Sequence, residues 1–278
     1  MSTQPPEFDA AIAAYYRHSA EEHRLEEGPF LLEALRTREL IKRHAPAPPA
    51  TVLDVGGAAG AYALWLASAG YTVHLLDPAP NHVAAAQRQS ALSSSPLASC
   101  VIGDARNLPF SDECADVLLL LGPLYHLTSS ADRARALSEA ARVLKPGGVL
   151  LAAAISRYGS ALDGLARELY DDPRFAAMVD QDLSDGQHRN ATTRLDYFTT
   201  AYFHRPEDLR AEVSSAGFLL HGLYGIEGPA WILPDLAARL NDPRRKETVL
   251  RVARLLESEP TVLATSAHLL AVGRKPSS

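Results

Sequence analysis

Thr51-Val52-Leu53-Asp54-Val55-Gly56-Gly57-Ala58-Ala59-Gly60 is a short apolar run that carries one acid and stops at a glycine-rich turn. Thr51–Val55 predicts a buried strand, and residues 60–68 predict a helix that starts directly from the turn. The alternation then repeats. Residues 71–76 read as a second strand, Pro80–Leu92 as a second helix, Ser99–Ile102 as a third strand and 115–121 as a fourth. The fourth is apolar from Val117 to Leu121, as suits a central parallel strand covered on both faces. Residues 130–144 follow as a helix with Ala134, Leu137, Ala141 and Leu144 on one face. Lys145-Pro146-Gly147-Gly148 ends it and feeds a fifth strand over 149–155. Such repetition predicts an α/β, doubly wound sheet with helices on both faces.

Outward from this core, residues 8–44 are amphipathic and helix-favouring. The linker 45–50 closes them off, because each proline lacks an N–H and restricts its predecessor. Beyond Ile155 the alternation breaks. Residues 157–205 read as a polar-aromatic insertion, followed by a helix (206–216), a strand (218–226), a helical stretch (233–256) and a last strand (268–272). The expectation is one domain over 1–278: a helical cap at 1–45, a core at 51–156, an acceptor lid insertion at 157–205 and a C-terminal part at 206–278. Together they give a mostly parallel seven-stranded sheet with insertions after strands five and six. Ligands of such sheets bind outside the carboxyl ends of the strands. With an antiparallel last strand, the cap, the 157–205 insertion and the 229–266 insertion converge over one crevice.

Composition narrows the function. The chain has 278 residues, 47% hydrophobic and 22% charged, which suits one substantial core. A net charge of −6 argues against a large nucleic-acid footprint, and Arg189, Arg194 and Arg205 read as solvated. Cys100 and Cys114 stand in no metal-binding spacing, so no metal and no disulfide framework is expected. Residues 1–9 carry no basic, apolar leader, and the longest apolar run, 117–121, is too short for a bilayer. The reading is a cytoplasmic protein with no membrane or nucleic-acid partner.

A glycine-rich turn between first strand and first helix lets a ligand approach the backbone. Asp77, seventeen positions after Gly60 at the end of the second strand, can accept from both hydroxyls of a ribose. Dinucleotides and adenosyl cofactors both meet these demands, and the spacing separates them. The dinucleotide pattern G-x-G-x-x-G is absent; Asp54 is followed instead by Gly56, Ala58 and Gly60 at alternate positions. This resembles the first motif of the class I S-adenosylmethionine-dependent methyltransferases. Asp77 in Leu75-Leu76-Asp77-Pro78 matches that family's ribose-holding acid, and Gly103-Asp104-Ala105 with Leu108-Pro109-Phe110 matches the segment whose aspartate takes the adenine amino group. Residues 116–122 match the fourth strand, and Arg142-Val143-Leu144-Lys145-Pro146-Gly147-Gly148 the lead into the fifth.

The resemblance implies a Rossmann-like sheet, S-adenosyl-L-methionine as cofactor, and a cofactor site of Asp54, Gly56, Gly57, Ala58, Gly60, Asp77, Pro78, Asp104, Ala105 and Leu121. Ala58 departs from the family, which has glycine there. Its methyl is tolerated where φ stays negative, which moves the permissive role to Gly57 and adjusts affinity.

Methyl transfer from a sulfonium is an in-line displacement, so the enzyme chiefly aligns its reactants and excludes water. A base is needed only where the acceptor's proton must leave. The candidate catalytic residues are His126 and Tyr125, in Gly122-Pro123-Leu124-Tyr125-His126-Leu127 after the fourth strand. That position faces the transferring methyl in the family the chain resembles. His126 is the base, since histidine titrates in the useful range, with a capping histidine as the competing reading. Tyr125 serves better as a pocket wall, since a free phenol loses its proton only near pH ~10.

Tyr16 and Arg24, in Tyr15-Tyr16-Arg17-His18 and His23-Arg24-Leu25, are placed as a lid whose arginine meets the cofactor carboxylate. A surface helix packing Ile12, Tyr16 and Leu25 on the core competes with that lid. Arg157 and Tyr158, leaving the fifth strand, with His188, Tyr202 and His204 in the insertion, are candidate acceptor contacts, and Trp231 reads as core. The segments around residues 22–25, 122–127 and 155–158 also look like a bacterial group of small-molecule-type methyltransferases. The expected function is methyl transfer to oxygen, nitrogen or carbon of a small-molecule acceptor, releasing S-adenosylhomocysteine, with homodimerisation left open. Methylation of RNA or protein, or cofactor binding without turnover, are the alternatives.

Overall fold

The computed structural model describes residues 10–18, 25, 28–192 and 194–277. In chain order its strands are β1 (Thr51–Val55), β2 (Thr72–Asp77), β3 (Ser99–Ile102), β4 (Ala115–Leu120), β5 (Leu144–Ile155), β6 (Gln187–His188), β7 (Ala201–Tyr202), β8 (Leu219–Gly225) and β9 (His268–Arg274). The helices begin with α1 (Ala10–His18), α2 (Phe30–His44), α3 (Ala61–Ser68), α4 (Pro80–Leu92), α5 (Pro123–His126) and α6 (Ser130–Val143). They continue with α7 (Gly159–Ala166), α8 (Pro173–Asp185), α9 (Pro206–Ser215), α10 (Leu236–Asn241) and α11 (Pro243–Leu256).

Seven strands form one sheet in the order β3-β2-β1-β4-β5-β9-β8. The pairs among β1 to β5 are parallel, while β9 runs antiparallel to both neighbours. Strand order therefore reverses between β1 and β4, and a crevice opens beyond their carboxyl ends. The central strands carry Val52, Leu53, Leu118, Leu119, Leu150 and Leu151, all buried. Burying each leucine contributes about 2 kcal/mol, which fixes the strand ends that carry the site.

Several boundaries differ from expectation for readable reasons. Within the helix-favouring stretch 8–44, the described residues form α1 (Ala10–His18) and α2 (Phe30–His44), and Pro29 precedes the start of α2. The stretch over 233–256 breaks where Asp242 caps α11 by accepting the Arg245 N–H and Pro243 takes the first helical position. β5 starts at Leu144, so Lys145-Pro146-Gly147-Gly148 lies inside a strand. On α6 the buried face is Arg133, Ala136, Leu137, Ala140 and Val143; Ala134 is exposed.

Ala58 overturns the expectation made for it. Its φ is +47°, flanked by Gly56 at +73° and Gly60 at +91°, while Gly57 stays out of the left-handed region. Asp77 Oδ2 accepts the Ala58 N–H at 2.9 Å, which holds the methyl-bearing residue in that conformation.

Buried ion pairs set the cap. Arg36 of α2, fully buried, pairs with Glu39 and Glu257 and donates to the Ile226 carbonyl at 3.3 Å. Arg43 reaches Glu257 as well, at 2.5 Å. These contacts bind α2 to the ends of β8 and α11, and so fix Glu33 one helical turn away from Arg36.

Candidate functional site

The turn after β1 is shaped by what surrounds it. A Cβ on Gly56 would lie 2.7 Å from the Pro123 ring, and one on Gly57 would lie 2.7 Å from Asp54 Oδ2. Asp54 is 2% exposed, and its Oδ2 has no hydrogen-bond partner. Burial, and then the charge of Asp77, pushes its carboxyl up to about 7. Asp77 accepts the N–H groups of Ala58 and Ala79, each at 2.9 Å, and its Oδ1 lies 3.2 Å from His82 Nδ1. His82 is buried too, with Nε2 unpartnered.

These residues line a cavity of about 370 Å³ at the crevice. Of the positions expected to hold the cofactor, Tyr16, Asp54, Gly56, Gly57, Ala58, Asp77, Pro78, Asp104, Ala105 and Leu121 all reach it. Gly60 does not line it and serves instead as the left-handed N-cap of α3. Asp104 is already engaged by Arg106, whose terminal nitrogen lies 2.6 Å from Oδ2. Arg24 lies outside the described residues. A buried carboxylate oxygen lacking a donor, an imidazole nitrogen lacking a partner and glycines that leave the backbone open fit a ligand carrying both cationic and hydroxyl groups.

A second cavity, of about 700 Å³, adjoins the first. Tyr16, Glu33, Tyr125 and His268 line both, so they form the collar between them. Walls come from the cap (Phe30), the insertion (Phe175, Tyr197, Phe198) and the segment after β8 (Trp231, Leu236), which converge as anticipated. Trp231 is thus a cavity wall as well as a packing residue, its indole N–H donating to the Thr265 carbonyl at 2.8 Å. Arg167 on this wall is paired with Asp163 at 2.8 Å and Asp196 at 3.5 Å, so its charge is satisfied inside the wall.

His126 lines the first cavity. Its Nδ1 lies 3.4 Å from the Thr200 carbonyl, an acceptor only, and its Nε2 lies 2.6 Å from the Tyr16 hydroxyl. With the proton assigned to Nδ1, Nε2 accepts from the phenol, and His126 meets the second cavity through Tyr16.

The acceptor contacts expected from the insertion mostly hold the insertion itself. Arg157 is 4% exposed and lines neither cavity. It donates to the Phe203 carbonyl at 2.7 Å and meets Tyr202 and Asp208. Tyr202 lies under the Arg133 guanidinium, 3.8 Å from its ring centroid. Tyr158 is exposed at the start of α7. His188 does line the second cavity, but Nδ1 meets Asp182 at 3.0 Å and Nε2 the Tyr197 carbonyl at 2.8 Å. Burial pushes His204 down, against the raising effect of the Glu212 carboxylate, 3.2 Å away.

Three residues on or behind the collar escaped the sequence reading. His268 opens β9, and its Nδ1 lies 2.6 Å from Glu227 Oε1. Glu227, 3% exposed, also accepts the Ser266 hydroxyl at 2.7 Å and the His268 N–H at 3.0 Å. Glu33 completes the group: ligand atoms of Glu33, Glu227 and His268 lie within 4.8 Å of one another.

Comparison with known proteins finds relatives of the sequence and of the fold. A family profile described as a methyltransferase domain matches residues 53–152. A ubiquinone/menaquinone biosynthesis C-methyltransferase of Acidiphilium cryptum is 31% identical over 192 residues, 65% of this chain and 71% of that protein. A malonyl-[acyl-carrier protein] O-methyltransferase of Methylococcus capsulatus is 35% identical over 122 residues, 43% of this chain and 41% of that one. Among solved structures, a Haloferax volcanii putative methyltransferase in complex with the Trm112 activator superposes with a TM-score of 0.61 at 19% identity, covering 96% of this chain and 98% of its own.

Proposed function

The chain belongs to the class I S-adenosylmethionine-dependent methyltransferases, and from that premise we propose that the 370 Å³ cavity holds the cofactor and the 700 Å³ cavity a small apolar acceptor. The observation that carries this reading is the shared collar of Tyr16, Glu33, Tyr125 and His268. Among the described residues, these four side chains line both cavities.

S-adenosylmethionine supplies an electrophilic methyl group on a sulfonium that departs as a neutral thioether. The residues present fit its parts. Asp77 would take the ribose hydroxyls and Asp104 the adenine amino group. Asp54, buried with an unpartnered oxygen, would receive positive charge from the methionyl end. Tyr16 would close the cap over the cofactor, and Gly56 and Gly57 would leave room for it against the backbone.

The second cavity lies within the range that receives drug-sized ligands, and its aromatic walls suit an apolar, ring-bearing or acyl-chain acceptor. Closure of the collar around the acceptor atom would align it and exclude water. The test uses S-adenosylmethionine labelled in its methyl group with a panel of 4-octylphenol, an alkyl naphthoquinol, octylamine, an acyl thioester and transfer RNA. The reading expects label in an apolar small molecule. Label in the RNA alone, or none in anything by a protein that binds S-adenosylhomocysteine, would overturn it.

A further inference from the structure

Asp77 ends β2, and His82 stands five residues on, in the first turn of the helix that Pro80 opens. An ionised carboxylate offers about four acceptor positions, two on each oxygen. On Asp77, Oδ1 takes the Ala79 N–H at 2.9 Å and faces His82 Nδ1 at 3.2 Å, while Oδ2 takes the Ala58 N–H at 2.9 Å. Both positions on Oδ1 are therefore taken before a ligand arrives, and one remains on Oδ2. A ribose presents two neighbouring hydroxyls, each with a proton to donate. Asp77 can accept one of them, and the other needs a second acceptor.

His82 supplies it. A carboxylate only accepts hydrogen bonds, so the contact with Asp77 places the imidazole proton on Nδ1 and leaves the lone pair on Nε2. His82 is 5% exposed and lines the 370 Å³ cavity, and its Nε2 is buried without a hydrogen-bond partner. A buried nitrogen left unpaired is destabilising, and a ligand that brings the missing donor relieves the penalty. The Tyr16 ring packs against the imidazole at 76°, with centroids 5.2 Å apart, and so holds the plane of the ring.

Resting on the reading that this cavity takes S-adenosylmethionine, we propose that His82 is a second ribose-binding residue. One hydroxyl donates to Asp77 Oδ2, and its neighbour donates to His82 Nε2. The sequence alone assigns both hydroxyls to Asp77; the count of acceptor positions divides them. Each hydroxyl then has its own buried acceptor, so the site selects a nucleoside in which both are intact. Removing either one leaves an acceptor without its donor.

Calorimetry on the full chain tests this with S-adenosylhomocysteine and its 2′-deoxy, 3′-deoxy and inosyl analogues, for wild type and His82→Leu. Leucine fills the place of the imidazole, so the acceptor position it vacates on Asp77 Oδ1 stays covered. Wild type should bind each deoxy analogue at least about fivefold more weakly than S-adenosylhomocysteine. His82→Leu should bind S-adenosylhomocysteine at least about fivefold more weakly than wild type does. It should also bind one deoxy analogue within about twofold of S-adenosylhomocysteine, while keeping full discrimination against the other. Discrimination against the inosyl analogue should be the same in both proteins. Unchanged discrimination against both deoxy analogues in His82→Leu, or an affinity for S-adenosylhomocysteine within about twofold of wild type, overturns the proposal. A change confined to the inosyl analogue places Nε2 on the adenine and overturns it too. If His82→Leu does not fold, a crystal structure of wild type with S-adenosylhomocysteine decides. A ribose hydroxyl oxygen within about 3.2 Å of His82 Nε2 is the expected result, and both hydroxyls on Asp77 the refuting one. Wild type that binds no S-adenosylhomocysteine defeats the cofactor reading itself, and the ribose assignment falls with it.

Discussion

Replacing Asp54 by Asn should make the ligand-free protein more stable and a worse binder of its cofactor. Asp54 is buried with an unpartnered Oδ2, and its carboxyl is pushed from 3.8 up to about 7. For an acid raised in the folded state, the unfolded chain ionises first. Stability therefore falls as pH climbs from about 4 to about 7 and is flat above. Once the group is ionised this amounts to about 4 kcal/mol of destabilisation. About 1 kcal/mol of this develops between pH 6 and pH 8.5.

Urea unfolding of both proteins at those two pH values reads the effect. Asp54→Asn should be the more stable variant at pH 8.5, and the wild-type loss between the two pH values should shrink by about 1 kcal/mol. Calorimetry with S-adenosylhomocysteine should show the opposite sign. Losing a buried partner for the ammonium costs about 2–5 kcal/mol, or roughly 30-fold or more in affinity. Wild-type affinity should rise with pH through 7, with proton release on binding. A variant no more stable than wild type at pH 8.5, with an unchanged pH slope, would refute the reasoning.

Asp77→Ala should weaken S-adenosylhomocysteine binding by tenfold or more, because Asp77 also holds the Ala58 and Ala79 N–H groups; His126→Ala should change it by less than about threefold, and equal losses in calorimetry would contradict the ribose assignment. Ala58→Gly relieves a φ of +47° and should raise stability by up to about 1 kcal/mol, read as a higher melting temperature. Arg157→Ala removes a buried clamp on the Phe203 carbonyl, Tyr202 and Asp208. It should cost about 3 kcal/mol of stability without altering cofactor affinity, and an unchanged melting temperature would restore Arg157 as a candidate ligand group.

The cofactor side of this site is legible in the sequence because its constraints are local. Asp54, Gly56 and Gly57 belong to one strand-to-helix turn, Asp77 ends the neighbouring strand, and each sits where a parallel sheet puts it by register. Ala58 shows the limit of that reading. A Cβ alone does not report φ, which is fixed here by a hydrogen bond to Asp77, nineteen residues on. The proposed acceptor side is assembled over long range. Glu33, Glu227 and His268 come from a cap helix, the end of β8 and the start of β9, with no spacing that marks them. His268 precedes an apolar strand and reads as its first residue; only the antiparallel pairing of β5 with β9 turns it toward the crevice. Arg157 misled for the converse reason. A charged residue at a strand end looks available, whereas the 157–205 insertion folds back and buries it.

The central claim is that two cavities meet at one collar where the methyl group is handed over. A crystal structure of the protein with S-adenosylhomocysteine and an alkyl phenol tests it most directly. The account expects the adenosyl group between Asp77 and Asp104, the thioether sulfur at the collar of Tyr16, Glu33, Tyr125 and His268, and the phenol oxygen beside that sulfur with its alkyl chain in the larger cavity. A sulfur directed away from the collar, or a phenol bound elsewhere, would contradict it.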